Sequence, residues 1–291
     1  MSIVVIDNQV VHYEVFGRGR PVIFLHGWLG SWRYWFPTME VVSDQFRTYS
    51  FDFWGFGDSN RQDTHISIQN YSDQVMRFLD ELGIEKAILV GHSMGGMVAL
   101  KTAITYPGRI TRVATVGAPI VGDSLSWLLK LTDRPLAADL FAHMPWLRRN
   151  LFKFFLGETS DPAVGEMIND SVKSNASTLR RAISSMWRTD LRPELHRLKV
   201  PALIVHGGHD DIVHPNQADL FDNIPAAQVV LMPSSRHFPF LDEAELFNDV
   251  LIRFLKQSQA PPTPRSQPNP NVNMNRMIMP ERPMLIPENS K

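Results

Sequence analysis

The period of apolar and polar positions changes repeatedly along the chain, and each change marks an element. SIVVI (2–6) and VVHYEVFG (10–17) read as two strands joined in a hairpin at Asp7-Asn8. PVIFLHG (21–27) is an unbroken apolar run, the mark of a strand buried on both faces. SWRYWFPTMEVVS (31–43) reads as helix, FRTYSFD (46–52) as strand and SIQNYSDQVMRFLDEL (67–82) as amphipathic helix. The strand KAILVG (86–91), the helix MGGMVALKTAITY (94–106), stopped by Pro107, and the strand ITRVATVG (110–117) continue the alternation. It resumes after an interruption with VPALIVHGG (200–208), a helix near NQADLFDNI (216–224), the strand AQVVLMP (227–233) and a last helix, DEAELFNDVLIRFLK (242–256). Strand and helix alternating in this way predict an α/β fold, a parallel sheet with crossover helices.

The interruption begins after Ala118. Residues 119–199 hold helical stretches and no strand pattern, which predicts a helical cap inserted into an α/β core made of 1–118 and 200–256. From Gln257 the pattern is lost. Residues 257–291 contain eight of the chain's 21 prolines and almost no periodicity, so a disordered tail is expected. A partner-docking role for MIMP or MLIP in this tail has no support from composition.

Composition narrows the function classes. With 44% hydrophobic and 20% charged residues, 291 residues support a sizeable core. Lys plus Arg is 29 against 30 Asp plus Glu, a net charge of −1, which offers no electrostatic attraction for nucleic acid or an anionic membrane. The absence of cysteine excludes disulfides, thiolate zinc sites and cysteine nucleophiles. MSIVVIDNQ has no basic n-region, and no stretch approaches the roughly 20 apolar residues of a membrane helix, so a cytoplasmic protein with no membrane span is expected.

The chemistry concentrates where the glycines do. Gly91-His92-Ser93-Met94-Gly95 fits G-x-S-x-G between a strand and a helix, the context of a nucleophile elbow. A serine N-cap with incidental glycines is the plainer reading, but a strained serine on a sharp turn needs tiny neighbours two residues to either side. A serine nucleophile needs a base oriented by an acid, following here in the order Ser, Asp/Glu, His. Asp210 and Asp211 lie just beyond one later strand, and His237 follows the next. Trp28, freed by a turn at His26-Gly27, and Met94, after the serine, are the expected backbone donors of an oxyanion hole. A metal site at His209, Asp210, Asp211 and His214 is not expected, because consecutive aspartates point apart and no third histidine joins them. The expected catalyst is therefore metal-free and cofactor-free.

HGW, DFWGFGDS, GHSMGG, HGGHDD and SRHFPFLDEAE, in this order, resemble the α/β-hydrolase fold family, in particular its capped serine hydrolases. The resemblance covers roughly residues 10–256. It implies a mostly parallel eight-stranded sheet with helices on both faces and an inserted helical cap. It also implies a Ser-His-Asp triad of Ser93, His237 and Asp210. Counting from the strand places Asp210 at the acid position, while counting back from Pro215 places Asp211 there; the strand end is the more rigid anchor. Ser93 stands where related epoxide hydrolases and haloalkane dehalogenases carry an aspartate, which argues against both. The expected reaction is cleavage of a small-molecule ester or similar acyl compound through an acyl-enzyme. A C–C bond hydrolase or a cofactor-free haloperoxidase-like enzyme uses the same site, and a small-molecule sensor keeps the same fold. The bulky apolar content of the cap, notably Trp127, Phe155, Met186 and Trp187, predicts walls for an apolar or aromatic substrate, while the cap arginines at helical spacing read as a solvated face.

Overall fold

The computed structural model describes residues 2–59, 66–156, 162–257 and 276–278. Strands β1 (Ser2–Ile6) and β2 (Gln9–Phe16) form the expected hairpin, with Asp7 and Asn8 at φ +52° and +62°. Two left-handed residues give the turn a twist that matches the paired strands, and Asp and Asn tolerate that conformation better than most. After β3 (Pro21–Leu25) the stretch expected as one helix divides into a 3-10 turn, Trp32–Trp35, and α1 (Phe36–Ser43). The division falls just before Pro37, which has no N–H to bond back into the preceding turn. β4 (Arg47–Phe51), α2 (Ile68–Glu81), β5 (Ala87–His92), α3 (Met94–Thr105) and β6 (Ile110–Val116) follow as the pattern predicts.

A helical insert follows between β6 and β7, with α4 (Trp127–Leu131), α5 (Pro135–His143), α6 (Pro145–Leu156), α7 (Pro162–Ser171) and α8 (Ala176–Arg188) among the described residues. Its two ends meet. Val121 pairs with Asp190, Gly122 N–H donates to Thr189 O (2.9 Å) and Leu191 N–H to Ile120 O (3.0 Å), so the insert leaves and rejoins the core through one neck. β7 (Ala202–Gly207), a 3-10 turn at Pro215–Phe221 where a helix is expected, β8 (Ala227–Met232), α9 (Pro239–Asp242) and α10 (Ala244–Lys256) complete the core. α2 packs on α3 and α1 on α10. No helix among the described residues is long and apolar enough to cross a membrane.

The strands form one sheet in the order β1-β2-β4-β3-β5-β6-β7-β8-β9, parallel from β4 onward. Strands β1–β8 are the eight expected, and among the described residues a ninth joins them. The ninth, β9 (Arg276–Ile278), comes from the proline-rich segment in which no element is expected, and runs parallel to β8. Edge pairing uses main-chain groups, so neither periodicity nor composition announces it. The other residues after Gln257 lie outside the described ones.

A compact charge cluster ties the insert to the core. Asp170, at the end of α7, is 3% exposed; it accepts from Ser31 Oγ (2.5 Å) and Arg33 Nη1 (2.7 Å) and pairs with Lys173 (2.6 Å). Asp58, beyond β4, takes Arg33 Nη2 (3.0 Å) and Lys173 Nζ (2.6 Å). Removing one partner of such a group leaves an uncompensated charge out of water. Asp170→Ala is accordingly expected to cost about 3 kcal/mol and lower Tm by roughly 6–12 °C. In the same thermal scans Asp190→Ala, which breaks an exposed pair with Arg192, should stay within about 1 kcal/mol of the parent.

Candidate active site

β5 ends at His92 and α3 begins at Met94, so Ser93 alone makes the turn, with φ +51° and ψ −115°. A non-glycine residue there is strained and persists only where its surroundings demand it. The neighbouring glycines are that demand. A Cβ on Gly91 would lie 2.2 Å from Gly95 O, and one on Gly95 would lie 2.3 Å from Leu25 O on β3. Ser93 makes no side-chain cap bond to α3, so the plain N-cap reading fails and the hydroxyl is free for other work.

His237 lies between β8 and α9, and its Nδ1 is 2.7 Å from Asp210 Oδ2, with both side chains buried. The other carboxylate oxygen of Asp210 accepts the amides of Ile212 and Val213, each at 2.9 Å. Burial pushes the Asp210 carboxyl up; the nearby His237, its hydrogen bond and the Val213 amide outweigh this and hold it below the ordinary carboxylate value. Asp211 is exposed and pairs with Arg236 (3.1 Å). Of the two tandem aspartates, it is Asp210 that meets the histidine.

The loop after β3 approaches the elbow from the opposite side. Gly27 O accepts Gly30 N–H (3.0 Å), and Leu29 takes φ +63°, which folds the loop sharply around Trp28. Among the described residues neither the Trp28 nor the Met94 amide has a hydrogen-bond acceptor. Trp28, Leu29, His92, Ser93, His237 and Phe238 from the core enclose, with Ile212, Leu125, Leu129 and Met186, a cavity of about 30 Å³. Its wall is mostly aliphatic and aromatic, with the Ser93 and His237 side chains among the lining groups. The Trp28 indole N–H donates to Leu179 O (3.2 Å) and its ring stacks on Phe141 at 5.9 Å, which joins this loop to α8 and α5 of the insert.

The insert's contribution differs from the expected one. Met186 lines the cavity, but Trp127 is 73% exposed, and Trp187 turns outward to donate to Asp123 (3.1 Å). One helical step of about 100° separates residues 186 and 187, so burying one exposes the other. Leu125 and Leu129 fill the places expected of the tryptophans. The Phe155 side chain lies outside the described residues. Two further residues make buried contacts at this site: His92, at the unspecified position of G-x-S-x-G, and Tyr34, which lies in none of the motifs.

Among the described residues, one group has ligand atoms close enough for a cation: His12, Asp52 and Asp58. Its carboxylates are already engaged. Asp52 accepts the amides of Trp32 and Asp58 and faces His12 (3.4 Å), while Asp58 holds Arg33 and Lys173. Two cationic side chains stand where a metal ion has to compete.

A doubly flanked, mostly parallel sheet with a strained serine at the end of a central strand is the architecture of the α/β hydrolases. The model of the α/β hydrolase fold family matches residues 20–244, and the chain belongs to this family as a hydrolytic enzyme of the α/β-hydrolase type. It is similar to a pimeloyl-[acyl-carrier protein] methyl ester esterase of Vibrio cholerae, with 29% identity over 260 residues, 85% of this chain and 98% of the relative. It is also similar to the AB hydrolase superfamily protein YisY of Bacillus subtilis, with 30% identity over 258 residues, 85% and 96% of the two chains. An esterase from Exiguobacterium antarcticum shares the fold with a TM-score of 0.78 at 23% identity, over 88% of this chain and 98% of that one.

Buried histidines make the fold sensitive to acid. Burial holds His26, His92 and His206 below their ordinary pKa of 6.5, His206 at about 4 with neither ring nitrogen bonded among the described residues. The unfolded chain therefore binds protons below pH 6.5 that the folded chain refuses, so stability is full above that pH and lost as pH falls. For His206 alone the loss at pH 5 is about 2 kcal/mol. His12, whose burial is outweighed by the nearby carboxylates of Asp52, Glu14 and Asp58, is raised and acts in the opposite sense. Tm should be lower at pH 5 than at pH 7, and His206→Leu should narrow that gap.

Proposed function

We propose that this protein is a serine esterase that cleaves esters of short, apolar acyl groups through an acyl-enzyme on Ser93. The observation that carries the proposal is the Asp210–His237 pair facing the same small cavity as an elbow serine whose hydroxyl caps nothing. Ser93 Oγ attacks the ester carbonyl while His237 Nε2 takes its proton. Asp210 keeps the other ring proton on Nδ1 and stabilises the imidazolium that forms. The carbonyl oxygen, now an anion, is held by the Trp28 and Met94 amides, the latter at the positive end of α3. Collapse expels the alkoxide, which receives the proton from His237. A water deprotonated by the same histidine then attacks the acyl-enzyme and releases the acid. The methyl ester named for the Vibrio relative supports ester cleavage as the reaction class.

Cavity size supports the short acyl group. The space beside Ser93 and His237, about 30 Å³, is small and mostly apolar-walled, which suits a short acyl chain. The insert supplies three apolar walls, Leu125 ahead of α4, Leu129 on α4 and Met186 on α8, and so acts as the cap of this site.

Two measurements test this reading. Ser93→Ala should fold normally, lose fluorophosphonate labelling and lose about 10³-fold or more in ester hydrolysis, and Asp210→Asn should be far more damaging than Asp211→Asn. Near-parental rates for Ser93→Ala, or the reverse order of the aspartates, overturn the assignment. Across p-nitrophenyl esters from acetate to laurate, kcat/KM should peak at the short end and fall once the cavity is full, because a methylene gains roughly 0.8 kcal/mol only where it is buried. Leu129→Ala should move the peak to longer chains, whereas a flat profile in both proteins would falsify the short-chain pocket.

A further inference from the structure

His92 occupies the variable position immediately before the elbow serine, yet it is 2% exposed and bonded on both sides of its ring. Its Nε2 is 3.0 Å from the backbone carbonyl of His237, and its Nδ1 is 3.2 Å from the Tyr34 hydroxyl. Tyr34 Oη in turn accepts the backbone N–H of Gly27, the residue before Trp28. The polarity of this chain of bonds is fully determined. A carbonyl only accepts, so the single proton of neutral His92 is on Nε2. Nδ1 is then a lone pair, and the Tyr34 O–H must point at it. The remaining lone pair of Tyr34 takes the Gly27 amide. Burial, reinforced by the neighbouring His237, keeps His92 neutral, and burial keeps Tyr34 protonated, so both partners hold the required form near neutral pH.

Three segments that are far apart in sequence are thereby joined: the loop after β3, the elbow, and the loop that carries His237. The loop after β3 supplies the proposed oxyanion donor Trp28, and the last supplies the proposed base. We infer that Tyr34 and His92 are positioning residues that fix the Trp28 amide and the His237 ring relative to each other across Ser93. The inference rests on the esterase reading above. Neither side chain exchanges a proton with substrate; each acts through the segment that it holds. Ring packing supports the same placement, with the His92 and His237 centroids 4.6 Å apart and Tyr34 edge-on to His92 at 5.5 Å.

Contacts that align donor and base matter most in the transition state, so their loss should lower kcat and leave KM nearly unchanged. Tyr34→Phe keeps the ring and removes the hydroxyl, leaving the Gly27 amide and His92 Nδ1 unbonded. It should lower kcat for p-nitrophenyl acetate by about 10- to 100-fold per fluorophosphonate-titrated site, with KM within about threefold. His92→Phe should do the same. His92→Gln, whose amide offers one acceptor and one donor, should recover most of the loss. The double variant Tyr34→Phe/His92→Phe should lose much less than the product of the two single losses, because both break one chain of bonds. A purely structural role predicts a different result: a lower Tm and fewer titratable sites, with normal kcat at each site that remains. Unchanged kcat per site in Tyr34→Phe, multiplicative losses in the double variant, or no recovery in His92→Gln overturns the inference. If His92→Phe does not fold, Tyr34→Phe and His92→Gln decide it. An active Ser93→Ala removes the esterase reading itself; an inactive Ser93→Ala beside a fully active Tyr34→Phe removes only the positioning role.

Discussion

Helix α3 is pressed onto the ends of β3 and β5 with backbone against backbone. No Cβ fits at Gly91 or Gly95, where the nearest carbonyl oxygens lie 2.2 and 2.3 Å from the position it would take. Contact that close leaves the chain one way out of β5, and it passes through Ser93 at positive φ. The cost of that conformation is on the order of 1–3 kcal/mol, offset by the bonds that enter and leave the turn. Ser93 N–H reaches Val116 O on β6 (2.8 Å), and Ser93 O starts the α3 ladder at Met97 (3.1 Å). The same contact sets the end of β3, and therefore the Gly27–Trp28 loop, beside Ser93. The elbow and the Gly27–Trp28 loop are two results of one packing constraint.

Placing such a site inside a core means that polar groups must be satisfied without water, and three histidines do this in complementary ways. His26 donates from Nδ1 to Gly27 O (2.8 Å) and accepts the Phe53 amide at Nε2 (2.9 Å). His92 takes the opposite tautomer, accepting at Nδ1 and donating from Nε2. Both face groups that suit a neutral ring, and burial holds both there. His237 alone has a carboxylate at Nδ1, with that carboxylate anchored by two further amides. Environment, more than residue type, separates the two imidazoles bonded to neutral groups from the one that faces a carboxylate.

Features that depend on local order along the chain were legible before any coordinates. The hairpin at Asp7-Asn8, the strand–helix alternation, the elbow glycines and the succession Ser93, Asp210, His237 all express themselves within a few residues or as an order of motifs. Features set by tertiary contact were not. Tyr34 meets His92 across 58 positions, and nothing in SWRYW distinguishes the tyrosine that reaches the elbow from the tryptophans around it. Aromatic bulk pointed to Trp127 and Trp187 as cavity walls, but which side of a short helix faces inward is decided by its neighbours, and they select Leu129 and Met186. Counting from β7 and counting back from Pro215 pick different aspartates, with the more rigid strand end favouring Asp210; the Arg236 pair on Asp211 and the His237 pair on Asp210 separate them. β9 depends on a free edge, which no window of sequence contains.

The insert combines these two kinds of contact. Its inner surface over Ser93 is aliphatic, while its attachment to the core is polar: the Asp170–Arg33–Lys173–Asp58 cluster, Ser174 Oγ on Gly55 O (2.9 Å) and the Ile68 amide on Ser185 Oγ (2.9 Å). Polar contacts of this kind are directional, so they fix where the insert sits, whereas an apolar interface alone tolerates sliding. Opening the insert at the cluster strands a buried Asp170 without its cations, which is far costlier than separating aliphatic walls. Trp28 adds to the attachment on the side of the proposed oxyanion donor, since its indole is bonded to α8 and stacked on α5. On the proposed esterase reading, a wall attached at charged and hydrogen-bonded points favours selection of the acyl group by a preformed shape over closure around a bound substrate. The residues that latch the insert therefore belong to the specificity of the site as much as the leucines that line it.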